Sequence, residues 1–348
     1  MVSFQKNSKD ESFKKTTITE IAKIAGVSKT TVSRVLSGGS NVSKKTKDKV
    51  LKVIEQNNYK PSIIAQSLRT NKTKTIGLVI ADIENPFYAR VAKGVIDTAE
   101  IKNYNVILCN SNNDINSEEK EIDTLINRGV DGLILTTVAL KTRTIKNLLD
   151  KQFPFMLIDC KLDYPGINYV VNDDYYGAKL ATEYLISLGH NNIFFLGNKK
   201  LLSLRERLKG FKDALKLNKY SENTSTFDEL VDINNMHTLE KIIKYIINHK
   251  NKITAIFAGN DYWAIKTIKI INDYGLNVPE DISVIGYDNI EISAIVKPPL
   301  TTIRQPKYLL GKLATEQLFE IIENGSKKEI KRIVLKPDLI IRNSCKKL

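Results

Sequence analysis

Apolar and polar positions along this chain follow two different periods, and the change falls near residue 75. In the first stretch, Ile18, Ile21, Ala22 and Ala25 recur at i, i+3, i+4 and i+7, the single stripe of an amphipathic helix. Thr17 stands at the N-cap and Glu20 three residues later, a capping box that satisfies two amides the first turn leaves open. Gly26 supplies the positive φ of a tight turn. Ser28 then caps a second short helix that turns Val32, Val35 and Leu36 inward and leaves Lys29, Thr30, Ser33 and Arg34 outside. Two short helices joined in this way predict a helix-turn-helix. A third helix over residues 43–57 adds Val50, Leu51 and Ile54 to the same small core. Its outer face, Lys44, Lys45, Lys47, Lys49 and Lys52, is spaced for phosphates rather than for base edges. Residues 62–69, which follow Pro61, are too few for a helix stable by itself in water, so they order only against a partner.

From Thr75 onward, apolar runs alternate with amphipathic helices. Runs at 76–81, 106–110, 132–136, 155–159, 193–197, 254–258 and 282–286 predict strands of parallel sheets with helices on both faces. Ligands of such sheets bind beyond the carboxyl ends of the strands. That rule singles out Asp82, Asn110, Asp159, Asn260, Asp261 and Asp288.

Charge sharpens the division. The 348 residues carry a net charge of +14, of which residues 1–75 hold 16 basic against 5 acidic groups, leaving only +3 for the other 273. A basic head on a nearly neutral body is the electrostatic footprint of nucleic-acid binding. Cys109, Cys160 and Cys345 have neither metal nor disulfide-framework spacing, which fits a reducing cytoplasm. No apolar run reaches membrane-spanning length, and the polar, Lys-rich residues 1–15 read as a disordered tail without a signal sequence. Enzyme chemistry lacks support: no dinucleotide or phosphate-loop glycine motif follows a predicted strand, and no nucleophile elbow is present. His190, His237 and His249 are not at metal spacing, and His190 reads as a helix-end cap. A secreted solute-binding protein would suit the body but not the basic head.

The run Thr17-x-x-Glu20-Ile21-Ala22-x-x-Ala25-Gly26-Val27-Ser28-x-x-Thr31-Val32-Ser33-Arg34-Val35-Leu36, followed by Val42-Ser43, Tyr59-Lys60-Pro61 and Ala65-x-x-Leu68-Arg69, resembles the LacI/GalR family of bacterial transcriptional regulators. Two positions depart from the usual pattern, Glu20 for Asp and Ser37 for Asn. The resemblance runs from Thr16 to about Asn343. It implies a helix-turn-helix domain at 16–60, a hinge helix and linker at 61–72, and an effector domain at 73–348. That last domain is an α/β body of two periplasmic-binding-protein-like lobes, one of residues 74–172 plus 305–332, the other of 173–304 plus 333–345. The DNA contacts it implies are Thr17, Ser28, Lys29, Thr30, Thr31, Ser33, Arg34 and Asn41 in the head, with Lys29, Thr30 and Arg34 reading bases. In the hinge they are Ser62, Ala65, Leu68 and Arg69, with Leu68 wedged into the minor groove.

In the body, Ile83-Glu84-Asn85-Pro86-Phe87-Tyr88, Arg205-x-Arg207-x-x-Gly210-Phe211, Ala258-Gly259-Asn260-Asp261, Gly286-Tyr287-Asp288-Asn289 and the run from Pro299 to Gln305 resemble the family's pocket loops and last lobe crossover. The effector contacts implied are Phe87, Tyr88, Asp159, Asn172, Arg207, Asn260 and Asp288. A carboxylate beside an Arg fork suits a sugar, sugar acid or sugar phosphate. Purine corepressors and phosphorylated carrier proteins also serve this family and remain open. The expectation is therefore a cytoplasmic homodimeric repressor on a pseudo-palindromic operator, controlled by a carbohydrate-type effector, with no metal or other cofactor. With no heptad tail after Asn343, a C-terminal tetramerisation helix is not expected.

Overall fold

The computed structural model describes residues 16–36, 42–59, 72–136, 143–162, 164–197, 201–218, 235–248, 253–325 and 330–348. Asn41, Ser62, Ala65, Leu68 and Arg69 lie outside these residues. The chain divides into two units, residues 1–73 and 74–348.

The first unit holds helices α1 (Ile18–Ala25), α2 (Lys29–Leu36) and α3 (Lys44–Gln56). Thr17 and Glu20 form the expected capping box, with the Thr17 amide donating to Glu20 Oε2 at 2.7 Å. Gly26 ends α1 at φ 62°, and its amide returns to the carbonyls of Ala22 and Lys23. This left-handed residue sets the turn into α2. Ile21, Ala22, Ala25, Val32, Val35, Val50 and Val53 form the core. Leu51, expected inside, is 43% exposed. Positions 50, 53 and 54 share one helical stripe and 51 lies outside it, so Val53 fills that place.

The second unit contains two sheets. The first has strand order β10-β5-β4-β3-β1-β2 and pairs only in parallel. Its strands are β1 (Thr75–Ile80), β2 (Asn105–Asn110), β3 (Gly132–Leu135), β4 (Phe155–Ile158), β5 (Tyr169–Asn172) and β10 (Arg332–Leu335). The second has order β11-β9-β8-β7-β6: β6 (Ile193–Leu196), β7 (Ala255–Ala258), β8 (Ser283–Asp288), β9 (Thr301–Arg304) and β11 (Asp338–Ile340). Only β11 runs antiparallel to its neighbour. Helices α4 (Pro86–Ile101), α5 (Ile115–Asn127), α6 (Arg143–Asp150) and α11 (Lys307–Asn324) serve the first lobe. Helices α7 (Asp174–Ser187), α8 (Leu202–Leu217), α9 (Met236–Asn248) and α10 (Asp261–Asp273) serve the second.

All seven predicted strands are present. Strands β5, β9, β10 and β11, of three or four residues each, were not predicted; β9, β10 and β11 lack the continuous buried apolar run that marks the equally short β3, β4, β6 and β7. The chain passes between lobes after Asn172, between Arg304 and Lys307, and between Leu335 and Asp338. The last passage corrects the expected boundary at residue 333: Arg332–Leu335 pairs with Tyr169–Asn172 in the first sheet. His190, at the end of α7, is fully buried. Its ring lies 2.9 Å from Thr254 Oγ1 and 3.0 Å from the Lys346 carbonyl, tying the last residues to the second lobe.

Helices α4 and α11 meet at glycines. A Cβ on Gly94 would collide with the Tyr308 carbonyl, and one on Gly311 with the Val91 carbonyl. Gly311→Ala should therefore cost about 1–3 kcal/mol, the range for overpacking a close contact, read as a lower urea midpoint.

Candidate functional site

Along α2, Lys29, Thr30 and Arg34 are exposed on the face away from Val32 and Val35, while Thr31 and Ser33 are half-buried. Ser28 Oγ accepts the Thr31 amide at 3.1 Å, and Thr17 Oγ1 accepts that of Glu20 at 3.3 Å. Both residues thus hold helix ends as well as lying on the exposed face. An exposed helix carrying Lys, Thr and Arg suits the major groove, where Arg pairs with guanine.

In the effector body, the strand ends and helix starts converge on one cavity of about 40 Å³. It is lined by Asn85, Phe87, Tyr88, Asp159, Leu201, Ser203, Leu204, Arg207, Asn260, Asp288 and Gln305. Six of the seven predicted effector residues lie here. Asn172 lines instead the adjoining cleft of about 490 Å³, which shares Asp159 and Ser203 with the cavity. Asp82 and Asn110 line neither. They shape their own loops by accepting the amides of Glu84 at 2.9 Å and Ile83 at 3.1 Å.

Arg207, on α8, is the centre. Its Nε donates to Asp174 Oδ1 at 2.8 Å and its Nη1 to the Gly259 carbonyl at 2.6 Å, and its guanidinium lies 3.8 Å over the Tyr287 ring. Nη1 is also 3.9 Å from Asp288 Oδ1. Burial works against its charge, but Asp174, Tyr287 and Asp288 more than offset it and raise the guanidinium pKa. Pro86 at the first turn and Asn85 as cap, whose Oδ1 accepts the Phe87 amide at 3.0 Å, start α4 where Phe87 and Tyr88 face the cavity. Tyr88 donates to Asp159 Oδ2 at 3.1 Å. Asn260 caps α10 by accepting the Trp263 amide at 2.9 Å, so its carbonyl oxygen is engaged while its side chain lines the cavity.

Three non-glycine residues hold positive φ here: Asp159 at 58°, Asp288 at 117° and Asn289 at 51°. Such backbone persists only where its surroundings impose it. The surroundings are Asp261, which the strand-end rule singles out, and Gln305 and Lys307, which it does not. Gln305 donates through Nε2 to Asp288 Oδ1 at 2.5 Å and accepts from Asn172 Nδ2. Lys307 Nζ donates to the Asp288 carbonyl and, at 2.9 Å, to that of Asn289. Asp261, fully buried, accepts from Thr302 Oγ1 at 2.5 Å and from the Ile290 amide at 2.9 Å, fixing the loop after β8. The contacts of Gln305 and Lys307 lie at the second crossover between lobes, whereas those of Asp261 stay within the second lobe.

The carboxyls are crowded. Burial, then the charge of Asp174, pushes Asp159 up to about 8. Burial, then Asp288, does the same to Asp261. Asp288 rises to about 6 through burial, held down by Arg207 and Lys307.

A helix-turn-helix unit beside a two-sheet body whose pocket lies at strand carboxyl ends defines a ligand-responsive DNA-binding protein. Residues 17–62 match the model of bacterial regulatory proteins of the lacI family. Residues 73–343 match that of periplasmic binding proteins and the sugar binding domain of the LacI family. The chain belongs to the LacI family and is a DNA-binding transcriptional repressor, not an enzyme. It is 36% identical over 335 residues to the HTH-type transcriptional repressor PurR of Aliivibrio salmonicida, covering 95% of this chain and 99% of that protein. Among solved structures it is similar to the lac repressor dimer bound to operator and the anti-inducer ONPF (TM-score 0.82, 27% identity, 95% of this chain and 99% of that one). It is also similar to a LacI family regulator from Enterococcus faecium with bound ribose (TM-score 0.70, 32% identity, 79% and 99%). No helix among the described residues is long and apolar enough to cross a membrane.

Two outcomes follow from the buried charges. Arg207→Met leaves Asp174 buried and unpaired, a loss of about 3–5 kcal/mol that chemical denaturation would measure. Unfolded carboxyls titrate near 4, so between pH 4 and 8 the unfolded chain has released protons that folded Asp159 and Asp261 retain. Stability therefore falls as pH rises through this window. The thermal midpoint should be lower at pH 8.5 than at 6.5, and Asp159→Asn should reduce the difference.

Proposed function

We propose that this repressor binds a pseudo-palindromic operator as a cytoplasmic homodimer and that a small molecule held between its two lobes sets its operator affinity. The observation that carries this reading is the buried Arg207 beside Asp288 in a cavity also lined by Phe87, Tyr88 and Asp159. First-lobe and second-lobe residues meet there, so a ligand that prefers one lobe arrangement shifts the equilibrium between them. Base contacts are assigned to Lys29, Thr30 and Arg34, with Ser33, Thr31, Ser28 and Thr17 beside them; Asn41 and the hinge residues Ser62, Ala65, Leu68 and Arg69 complete the set.

The sequence pointed first to a carbohydrate effector. The relatives that match 95% of the chain are instead named PurR, a purine-responsive repressor, and this favours a purine-type corepressor that strengthens operator binding. A neutral sugar is the second reading, supported by the ribose-bound neighbour at 32% identity. Fluorescence anisotropy on a palindromic operator selected from a randomised pool, at fixed salt, tests both. A purine corepressor should tighten binding, whereas a sugar inducer should weaken it; no response to either class would sink the pocket assignment. Arg34→Ala should cost about 1–3 kcal/mol of preference for the selected operator over scrambled DNA. Unchanged selectivity would show that α2 does not read bases.

A further inference from the structure

The cavity and the cleft beside it differ in what they ask of a ligand. At the inner end, the Arg207 guanidinium donates and the Asp288 carboxylate accepts, 3.9 Å apart. A lactam edge, which carries a carbonyl next to an N–H, answers both. At the outer end lie two buried oxygens without a hydrogen-bond partner among the described residues. Asn172 is 4% exposed, its Nδ2 is committed to Gln305, and its Oδ1 has no hydrogen-bond partner among the described residues. Asp159 Oδ1 is buried and likewise without one, while its Oδ2 holds Tyr88. Buried polar atoms in this state cost free energy until a partner arrives, and both residues line the open cleft of about 490 Å³. The inner cavity of about 40 Å³ admits only the edge of a ring, whereas the cleft falls within the roughly 300–1,000 Å³ typical of ligand sites.

We propose, resting on the ligand-site reading above, that the effector is a neutral two-part molecule of nucleoside type. Its lactam edge sits between Arg207 and Asp288, and vicinal hydroxyls hydrogen-bond to Asp159 Oδ1 and Asn172 Oδ1. A free base leaves the outer oxygens unanswered, and a free sugar leaves the inner pair. Phosphorylated forms are disfavoured. The cleft is lined by Asp159, Asp173, Asp174 and Glu206 against Lys161 and Arg205, and Lys161 is already bonded to Glu206 at 2.7 Å. Placing a dianion among these carboxylates adds like charge to a site already short of donors.

Isothermal titration of the full-length protein with hypoxanthine, inosine, inosine 5′-monophosphate, D-ribose and ribose 5-phosphate tests the assignment. Inosine should bind at least ten-fold more tightly than hypoxanthine or D-ribose, and more tightly than its monophosphate. Asn172→Leu should erase the advantage of inosine over hypoxanthine, and that ratio is the readout because loss of the Asn172–Gln305 bond reaches Asp288 and affects both ligands. Equal affinity for hypoxanthine and inosine, a monophosphate as tight as inosine, or binding of D-ribose alone overturns the two-part ligand and leaves the site standing. Silence from all five compounds removes the ligand-site reading together with this one.

Discussion

The second lobe is organised around one guanidinium taken out of water. Arg207 draws together α7 through Asp174, the turn after β7 through the Gly259 carbonyl, and β8 through Tyr287. A buried cation is tolerable only where such partners surround it. Those same partners fix the approach to Asp288. The effector cavity thus follows from a requirement of folding: the residues that neutralise Arg207 also decide where a ligand meets it.

A second constraint comes from the crossovers. Asn172 ends the last strand before the first passage between lobes, and its side chain reaches Gln305 at the second, which in turn reaches Asp288. Lys307 opens α11 with a cation, against the polarity of a helix N-terminus. The carbonyls of Asp288 and Asn289 and the nearby charge of Asp288 compensate. The positive φ values at 288 and 289 are held from the opposite lobe, so the geometry of the ligand loop and the relation between lobes are one problem.

Much of this was legible in the chain. The capping box, Gly26 and the stripe of α1 are local events, and local periodicity suffices to find them. Arg207, Asp288 and the aromatic pair at 87–88 were found through strand-end reasoning and family motifs. Gln305 fell within the crossover motif but received no role, and Lys307 was missed, because they act across a passage between lobes and carry no periodic signature. The Asn260 cap and the outward Leu51 are local events that the sequence reading did not draw, the first a bond to the amide three residues on, the second a position off the stripe of 50, 53 and 54.

Gly94 and Gly311 bring α4 and α11 to backbone contact at one crossing, where an added Cβ would meet a carbonyl of the facing helix. The first turn of one helix carries Phe87 and Tyr88, and the first turn of the other carries Lys307. One fixed crossing thus joins the helix that carries the cavity aromatics to the helix whose lysine holds the loop of Asp288.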